Sequence, residues 1–201
     1  TFNSDFSYGD IISGSYPLSS SIKRDFYQTG QARPEIQSLK NTLNYYIPLS
    51  SHYEFNSSLG NKATQELNLI SIPSIMYGSS INKGSLKLDF YISGTLFGTL
   101  QDINKNGELI QTGPVGSTGS GSVAGVALYN EGFLILTGSW SLDTTTRNYR
   151  ADPSDLKNPA WLYFGVGAQD SIAPGTVPFS SYELVFEGVN KMPTLTLFFF
   201  F

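Results

Sequence analysis

The chain has 201 residues, of which 14% are charged, and 12 basic against 16 acidic side chains leave a net charge of −4. The absence of cysteine excludes thiolate metal sites, cysteine nucleophiles and disulfides, and a single histidine excludes a metal site built from several imidazoles. Because the charge balance has the wrong sign for neutralising phosphate, we expect no nucleic-acid partner.

Turn-forming and aromatic residues dominate the composition. The chain holds 20 Gly and 10 Pro beside 14 Phe and 12 Tyr, which favours an all-β protein. No apolar run reaches the roughly 18 residues needed to span a bilayer, so we expect no membrane partner.

The first 32 residues are rich in Ser, Gly and aromatic residues and carry turn signals at Tyr16-Pro17 and Thr29-Gly30. We predict an extended N-terminal arm over residues 1–32 that lies on a neighbouring subunit, followed by a β-sandwich domain over 33–201. A form lacking the arm is expected to fold but not to assemble. Since the chain begins at Thr1 and stops in four phenylalanines, we expect it to be a segment of a longer protein.

One segment has helical spacing. Pro34 suits the first position of a helix, and Pro48 ends the pattern. The apolar residues between them recur at steps of 3, 4 and 3, which predicts one short amphipathic helix packed on the sheet through Ile36, Leu39, Leu43 and Tyr46.

From Glu66 onward the apolar residues alternate with polar ones, as in half-buried strands. Asn106-Gly107 and Asn130-Glu131-Gly132 mark two hairpins, and a Gly/Ser-rich loop spans 113–122. We therefore predict an antiparallel, jelly-roll-like β-sandwich. Its nine predicted strands are 67–72, 85–92, 95–100, 108–112, 122–129, 133–140, 161–168, 182–189 and 194 onward.

Asp102, Asn104 and Asn106, followed by Gly107, resemble the opening of a calcium loop. The twelfth loop position is Gly113, where a calcium loop carries a bidentate Glu. Since a β-turn requires the same residues, we interpret the run as a turn and predict no metal or other cofactor.

Other candidate sites are also better explained by structural roles. The glycines of 113–125 resemble a phosphate cradle but lack its lysine. His52 is the single imidazole available to a serine nucleophile, yet no nucleophile elbow accompanies it. Glu183 and Glu187 share a strand face about 13 Å apart, beyond glycosidase separations. We predict no catalytic residue and no enzyme activity.

Exposed aromatic rings stack on sugars, so a carbohydrate-binding adhesin stays open as an alternative. In a sandwich about half of such rings face the core or a subunit interface. The candidates for a host-glycan surface are Tyr45, Tyr46, Tyr91, Trp140, Trp161 and Tyr163.

Four longer runs resemble virion structural proteins of contractile-tailed bacteriophages that infect marine bacteria. The resemblance spans about residues 39 to 197 and is carried by 67–81, 106–111, 119–126 and 128–140, with Pro193 to Thr196 at its end. Similar proteins continue past that last strand, whereas this chain departs into Phe198 to Phe201.

The resemblance implies a non-enzymatic structural component of a tailed bacteriophage virion, assembled in the host cytoplasm. We expect a place in the tail or baseplate, and a head decoration or neck protein is the alternative. Its expected partners are other virion proteins and copies of itself in a homo-oligomer.

Overall fold

The computed structural model describes residues 11–17, 22–149, 156–166 and 180–191. Their strands form one ten-stranded sheet and two two-stranded sheets. The strands are β1 Ile11–Pro17, β2 Lys23–Tyr27, β3 Asn56–Ser57, β4 Gly60–Asn61, β5 Leu67–Ser71, β6 Ser80–Ile81, β7 Lys87–Ile92, β8 Thr95–Gln101, β9 Glu108–Gly113, β10 Val123–Leu128, β11 Phe133–Leu136, β12 Arg147–Asn148, β13 Leu156–Lys157 and β14 Ser180–Val189.

The large sheet follows the order β1-β14-β7-β8-β9-β10-β11-β5-β2, and β6 pairs with β14. All of these pairings are antiparallel, and both predicted hairpins join neighbouring strands. The sheet curls around one interior, because Phe90 of β7, Leu134 of β11 and Leu184 of β14 belong to the same buried cluster. We call this cluster the inner core. The all-β, antiparallel, sandwich-like prediction is confirmed.

Buried and half-buried residues alternate along β14, so the sequence sets which face of this strand meets the inner core. Tyr182, Leu184 and Phe186 are buried in the inner core, and the residues between them are half-buried on the other face. Seven of the nine predicted strands are present, some with shifted ends. The strand predicted from Thr194 lies outside the described residues.

The strand predicted at 161–168 is wrong over its described part. Trp161–Tyr163 is a 3₁₀ turn, and the chain continues through Phe164 to Val166 without a strand. These side chains are buried. A continuous apolar run predicts that a segment is buried, but it has no periodicity. It therefore cannot distinguish a strand from a buried turn.

The predicted arm supplies both edge strands of the large sheet. β1 pairs with β14 and β2 pairs with β5 of the same chain, and Ile22 and Tyr27 are buried. Deletion of residues 1–32 would remove these strands, so we now expect it to destabilise the fold rather than only to prevent assembly. Residues 1–10 and 18–21 lie outside the described residues.

The helical segment forms two short helices where one was predicted, α1 Pro34–Ser38 and α2 Lys40–Tyr45. Next to the break, the Glu35 carbonyl accepts both from the Ser38 hydroxyl at 2.7 Å and from the Leu39 N–H at 3.3 Å. The predicted apolar face is nevertheless buried. It packs on the outer face of the sheet against Leu69, Val126 and Ile135.

After α2 the chain makes 3₁₀ turns at Ile47–Leu49 and Ser51–Tyr53 and then the small β3–β4 hairpin. A further 3₁₀ turn lies at Ser74–Met76. We call residues 33–66 the outer layer, since this segment covers the side of the sheet opposite the inner core.

Candidate functional site

The run Asp102 to Gly107, which resembles the opening of a calcium loop, forms a hairpin turn as predicted, and its carboxylate accepts hydrogen bonds from donors of the same chain. Asp102 is fully buried, its Oδ1 accepts from the Gly107 N–H at 3.1 Å, and its Oδ2 accepts from the Gly84 N–H at 2.8 Å. Oδ2 also accepts from the Tyr129 hydroxyl. Burial, together with this hydrogen bond to Asp102, raises the pKa of Tyr129, so the phenol stays a donor.

The other two polar side chains of this run, Asn104 and Asn106, both hydrogen-bond to Glu108 and not to the groups around Asp102. Asn104 Nδ2 donates to Glu108 Oε2 at 3.3 Å, and Asn106 Oδ1 accepts from the Glu108 N–H at 3.1 Å. The three side chains therefore build a turn rather than a ring of oxygens. Among the described residues, no group of three or more His, Asp or Glu side chains lies close enough to hold a metal ion.

Tyr53 of the outer layer hydrogen-bonds to the backbone of this hairpin and of the neighbouring strand β10. Its hydroxyl donates to the Ala127 carbonyl at 2.7 Å and to the Asn106 carbonyl at 3.1 Å. Gly107 has a φ of +89°, and a Cβ there would overlap the Tyr53 hydroxyl. The Asn-Gly pair is thus required both by the turn and by the close approach of the tyrosine.

Ser50, His52 and Glu108 meet where the outer layer crosses the start of β9. Ser50 Oγ donates to Glu108 Oε1 at 2.6 Å and lies 3.2 Å from His52 Nδ1, which is 3.5 Å from the same carboxylate oxygen. A catalytic triad uses opposite nitrogens of the imidazole for serine and carboxylate. Here one nitrogen faces both, and the serine proton points to the carboxylate.

Ser50 has a structural task in this cluster. Its Oγ accepts from the His52 N–H at 3.1 Å and so caps the 3₁₀ turn that follows. Burial by itself raises the pKa of Glu108, but hydrogen bonds with Ser50, Asn106 and Asn104 outweigh it and hold that pKa below its usual range. Sequence reasoning had no signal for Glu108, which is 58 residues from Ser50.

The glycine-rich loop after β9 folds back on Gln111. Gln111 Nε2 donates to Ser117 Oγ at 2.9 Å and to the Thr118 carbonyl at 3.0 Å. The N–H groups of Ser117, Ser120 and Ser122 donate to carbonyls within the loop. These amides close turns instead of pointing together at a phosphate.

Both tryptophans converge on the same buried glutamine. Gln111 Oε1 accepts from Trp140 Nε1 at 2.7 Å and from Trp161 Nε1 at 2.8 Å. Trp161 is fully buried, and Trp140 is half-buried against Gly119 of the loop. The two indoles hold the loop to the inner core rather than forming an open platform.

The remaining aromatic candidates differ in exposure. Tyr46 and Tyr163 are buried, and Tyr163 stacks on Tyr149 at 4.1 Å between ring centroids. Tyr91 is half-buried, whereas the ring of Tyr45 is 79% exposed. Of the six predicted positions, Tyr45 alone offers a largely open ring.

The paired carboxylates on β14 lie on its outer face. Glu187 Oε2 accepts from Asn82 Nδ2 at 2.8 Å, which fixes it beside the turn after β6. Glu183 faces Asp89 across the β14–β7 pair. Asp89 is buried, and it accepts from Thr99 Oγ1 and pairs with Lys87 Nζ, both at 2.6 Å.

Two buried cations in the outer layer were missed by sequence reasoning. Arg33 donates through its Nη atoms to the carbonyls of Lys62, Gln65 and Gln28 at 3.1, 2.5 and 2.6 Å. A lone basic residue in a loop has no sequence pattern that marks it as buried. Arg33 is 1% exposed, so its charge is solvated almost wholly by backbone carbonyls.

Lys62 likewise donates from a buried position to backbone carbonyls of the outer layer. Its Nζ donates to the carbonyls of His52 at 2.9 Å and Glu54 at 2.5 Å. Burial lowers the pKa of Lys62 to about 8, although the nearby Glu54 acts in the opposite direction. Together, the two cations hydrogen-bond separate segments of the outer layer to one another.

A groove of about 560 Å³ opens between α2 and the β3–β4 hairpin, beside the Lys62 anchor. Its lining combines an ammonium group, a carboxylate, three amides and a small apolar set: Lys40, Glu54, Asn44, Asn56, Asn61, Ile47, Phe55 and Ala63.

No helix in the described part of the chain is long and apolar enough to cross a membrane. Comparison of this chain with family models, with curated proteins and with solved structures found no match in any of the three.

Proposed function

We propose that the chain is a non-enzymatic structural component of a tailed bacteriophage particle. It acts in the tail or baseplate, through contacts with other virion proteins and with copies of itself. The resemblance of 67–81, 106–111, 119–126 and 128–140 to virion structural proteins supports this assignment.

The observation that carries the proposal is that the buried polar side chains bind groups of the same chain. Arg33, Lys62, Asp102 and Gln111 are buried and bind loops and turns of the same chain. Ser50 donates to a carboxylate rather than to an imidazole. Such an arrangement stiffens the molecule for contact and does not prepare a nucleophile.

Apolar side chains at turn tips supply candidate contact points. Ile75, in the 3₁₀ turn Ser74–Met76, is 92% exposed, and Val115, in the loop after β9, is 94% exposed. Burying one such side chain at an interface contributes about 2 kcal/mol. A rigid scaffold presents these side chains with a smaller ordering cost than a flexible segment would.

The test is incorporation into particles. A phage lacking its own copy of the chain is grown on cells that supply it, and purified particles are analysed by mass spectrometry. Wild-type chain is expected in the particles, and Ile75→Asp with Val115→Asp should be folded by circular dichroism yet depleted. Thr146→Asp, at an exposed polar position, is the control.

Particles that assemble and infect normally without the chain would overturn the proposal. So would turnover of host polysaccharide by the purified chain, which would place it among enzymes. Density for the chain in cryo-electron micrographs of the particle distinguishes tail or baseplate from head or neck.

A further inference from the structure

The groove between α2 and the β3–β4 hairpin has walls that are fixed before any ligand arrives. Lys62 Nζ holds the Glu54 carbonyl, and the Lys62 N–H donates to the Phe55 carbonyl at 2.9 Å. Arg33 in turn holds the Lys62 carbonyl. A site whose backbone is already ordered loses less entropy on binding.

Two of the amides in the groove have a fixed orientation. Asn44 Oδ1 accepts from the Phe55 N–H at 3.3 Å, and Asn61 Oδ1 accepts from the Ala63 N–H at 2.9 Å. These bonds occupy the carbonyl half of each amide and leave the NH₂ groups as donors. Asn56 faces Asn61 across the β3–β4 pair and adds a third amide.

The two charged side chains that line the groove are opposite in sign. Lys40 and Glu54 contribute one positive and one negative group, and Lys40 Nζ lies 5.8 Å from the centroid of the Phe55 ring. A phosphate would meet one ammonium group but also a carboxylate, so an anion gains little. An uncharged ligand rich in groups that both donate and accept fits this mixture better.

We propose that the groove binds a neutral saccharide unit. Glu54 accepts from sugar hydroxyls, while Lys40, Asn44 and Asn61 donate to them. Ile47, Phe55 and Ala63 supply the apolar part of the lining that faces ring C–H groups. The volume of about 560 Å³ lies in the range of small-ligand sites.

This site is separate from the aromatic surface considered for an adhesin. Tyr45 has an open ring but does not line the groove. Loss of binding in groove variants, with retention in Tyr45→Ala, therefore distinguishes the two arrangements.

The test is saturation-transfer NMR on the purified chain. Glucose, galactose, N-acetylglucosamine and their disaccharides are offered at about 10 mM, a concentration suited to dissociation constants near 1 mM. At least one sugar should bind wild type. Glu54→Ala and Lys40→Met should each weaken binding about tenfold in chains that circular dichroism shows to be folded, and Tyr45→Ala should bind as wild type does.

Glycine and glutamate are offered in the same experiment, because a zwitterion would also satisfy the Lys40–Glu54 pair. Binding of these amino acids in place of sugars would overturn the proposal. So would the absence of binding by every sugar, or sugar binding that both groove variants retain. Incorporation into particles is measured independently, so either proposal can fail alone.

Discussion

The inner core and the outer layer satisfy their buried backbone groups by different means. In the inner core the sheet ladder satisfies most of the strand backbone, and apolar side chains such as Leu88, Phe90 and Leu184 supply the packing. In the outer layer short helices and 3₁₀ turns leave carbonyls without ladder partners. Arg33 and Lys62 donate to those carbonyls from buried positions.

The difference shows what irregular backbone requires of a sequence. Each buried carbonyl outside a helix or ladder needs a donor, and a long cationic side chain provides several donors from one residue. The outer layer therefore adds two buried cations to its apolar contacts with the sheet, whereas the strands of the inner core pair with one another. The two regions should respond differently to mutation and to pH.

The largest effect is expected in the inner core. Phe90→Ala removes a fully buried ring that contacts Trp161 and Phe164, and should lower the free energy of unfolding by about 4 kcal/mol. Tyr91→Ala, on the opposite face of β7, should cost clearly less. Urea denaturation measures both, and equal losses would show that the two faces are not packed differently.

Arg33→Met tests whether the outer layer depends on its buried guanidinium. Loss of the guanidinium leaves several buried carbonyls unpaired, and stability should fall by about 3 kcal/mol. Hydrogen exchange should accelerate over residues 28–66 while β7 and β14 keep their protection. Equal acceleration in the sheet would mean that the outer layer and inner core unfold as one unit.

Lys62 makes the outer layer sensitive to alkaline pH. Its folded pKa of about 8 lies below the unfolded value of 10.5, so between these values the unfolded chain binds more protons and stability rises with pH. We expect a gain of about 2 kcal/mol between pH 7 and pH 10, measured by urea denaturation. Above pH 10 the raised pKa values of Tyr53 and Tyr129 reverse the trend.

The matched variants for this prediction are Lys62→Met and Lys83→Met. The first should abolish the alkaline gain, and the second, at an exposed position, should retain it. A gain that survives in Lys62→Met would show that another group is responsible.

The smallest effect is expected where the two regions touch. Ser50→Ala removes a turn cap and a hydrogen bond to Glu108, and should cost about 1 kcal/mol at neutral pH. The pKa of Glu108 should rise, because a bond to its charged form is lost. The stability that Glu108 contributes disappears as pH falls through its lowered pKa, so the variant should lose less on acidification.

Carbon-13 NMR titration of the Glu108 carboxyl measures this shift directly. His52→Gln is the comparison, because it removes the neighbouring imidazole and keeps the serine. An unchanged Glu108 pKa in Ser50→Ala would contradict the role assigned to the Ser50 hydroxyl.

Much of the sheet could be predicted because its signals are local. Alternation over 85–92 places Leu88 and Phe90 on one face, since successive residues of a strand point to opposite sides. Asn106-Gly107 specifies its hairpin because the turn requires a positive φ. Pro34 begins α1 for a similar reason: its fixed φ suits the first helical position.

The tertiary structure alone decided which distant residues meet. The curl of the sheet brings Trp140 and Trp161 to one side of Gln111, and the crossing of the outer layer brings Ser50 to Glu108. Burial of Arg33 and Lys62 follows from carbonyls that neighbouring turns leave unpaired. The spacing of apolar residues reveals the periodicity of a strand. It does not reveal these long-range contacts, because they depend on how separate elements pack together.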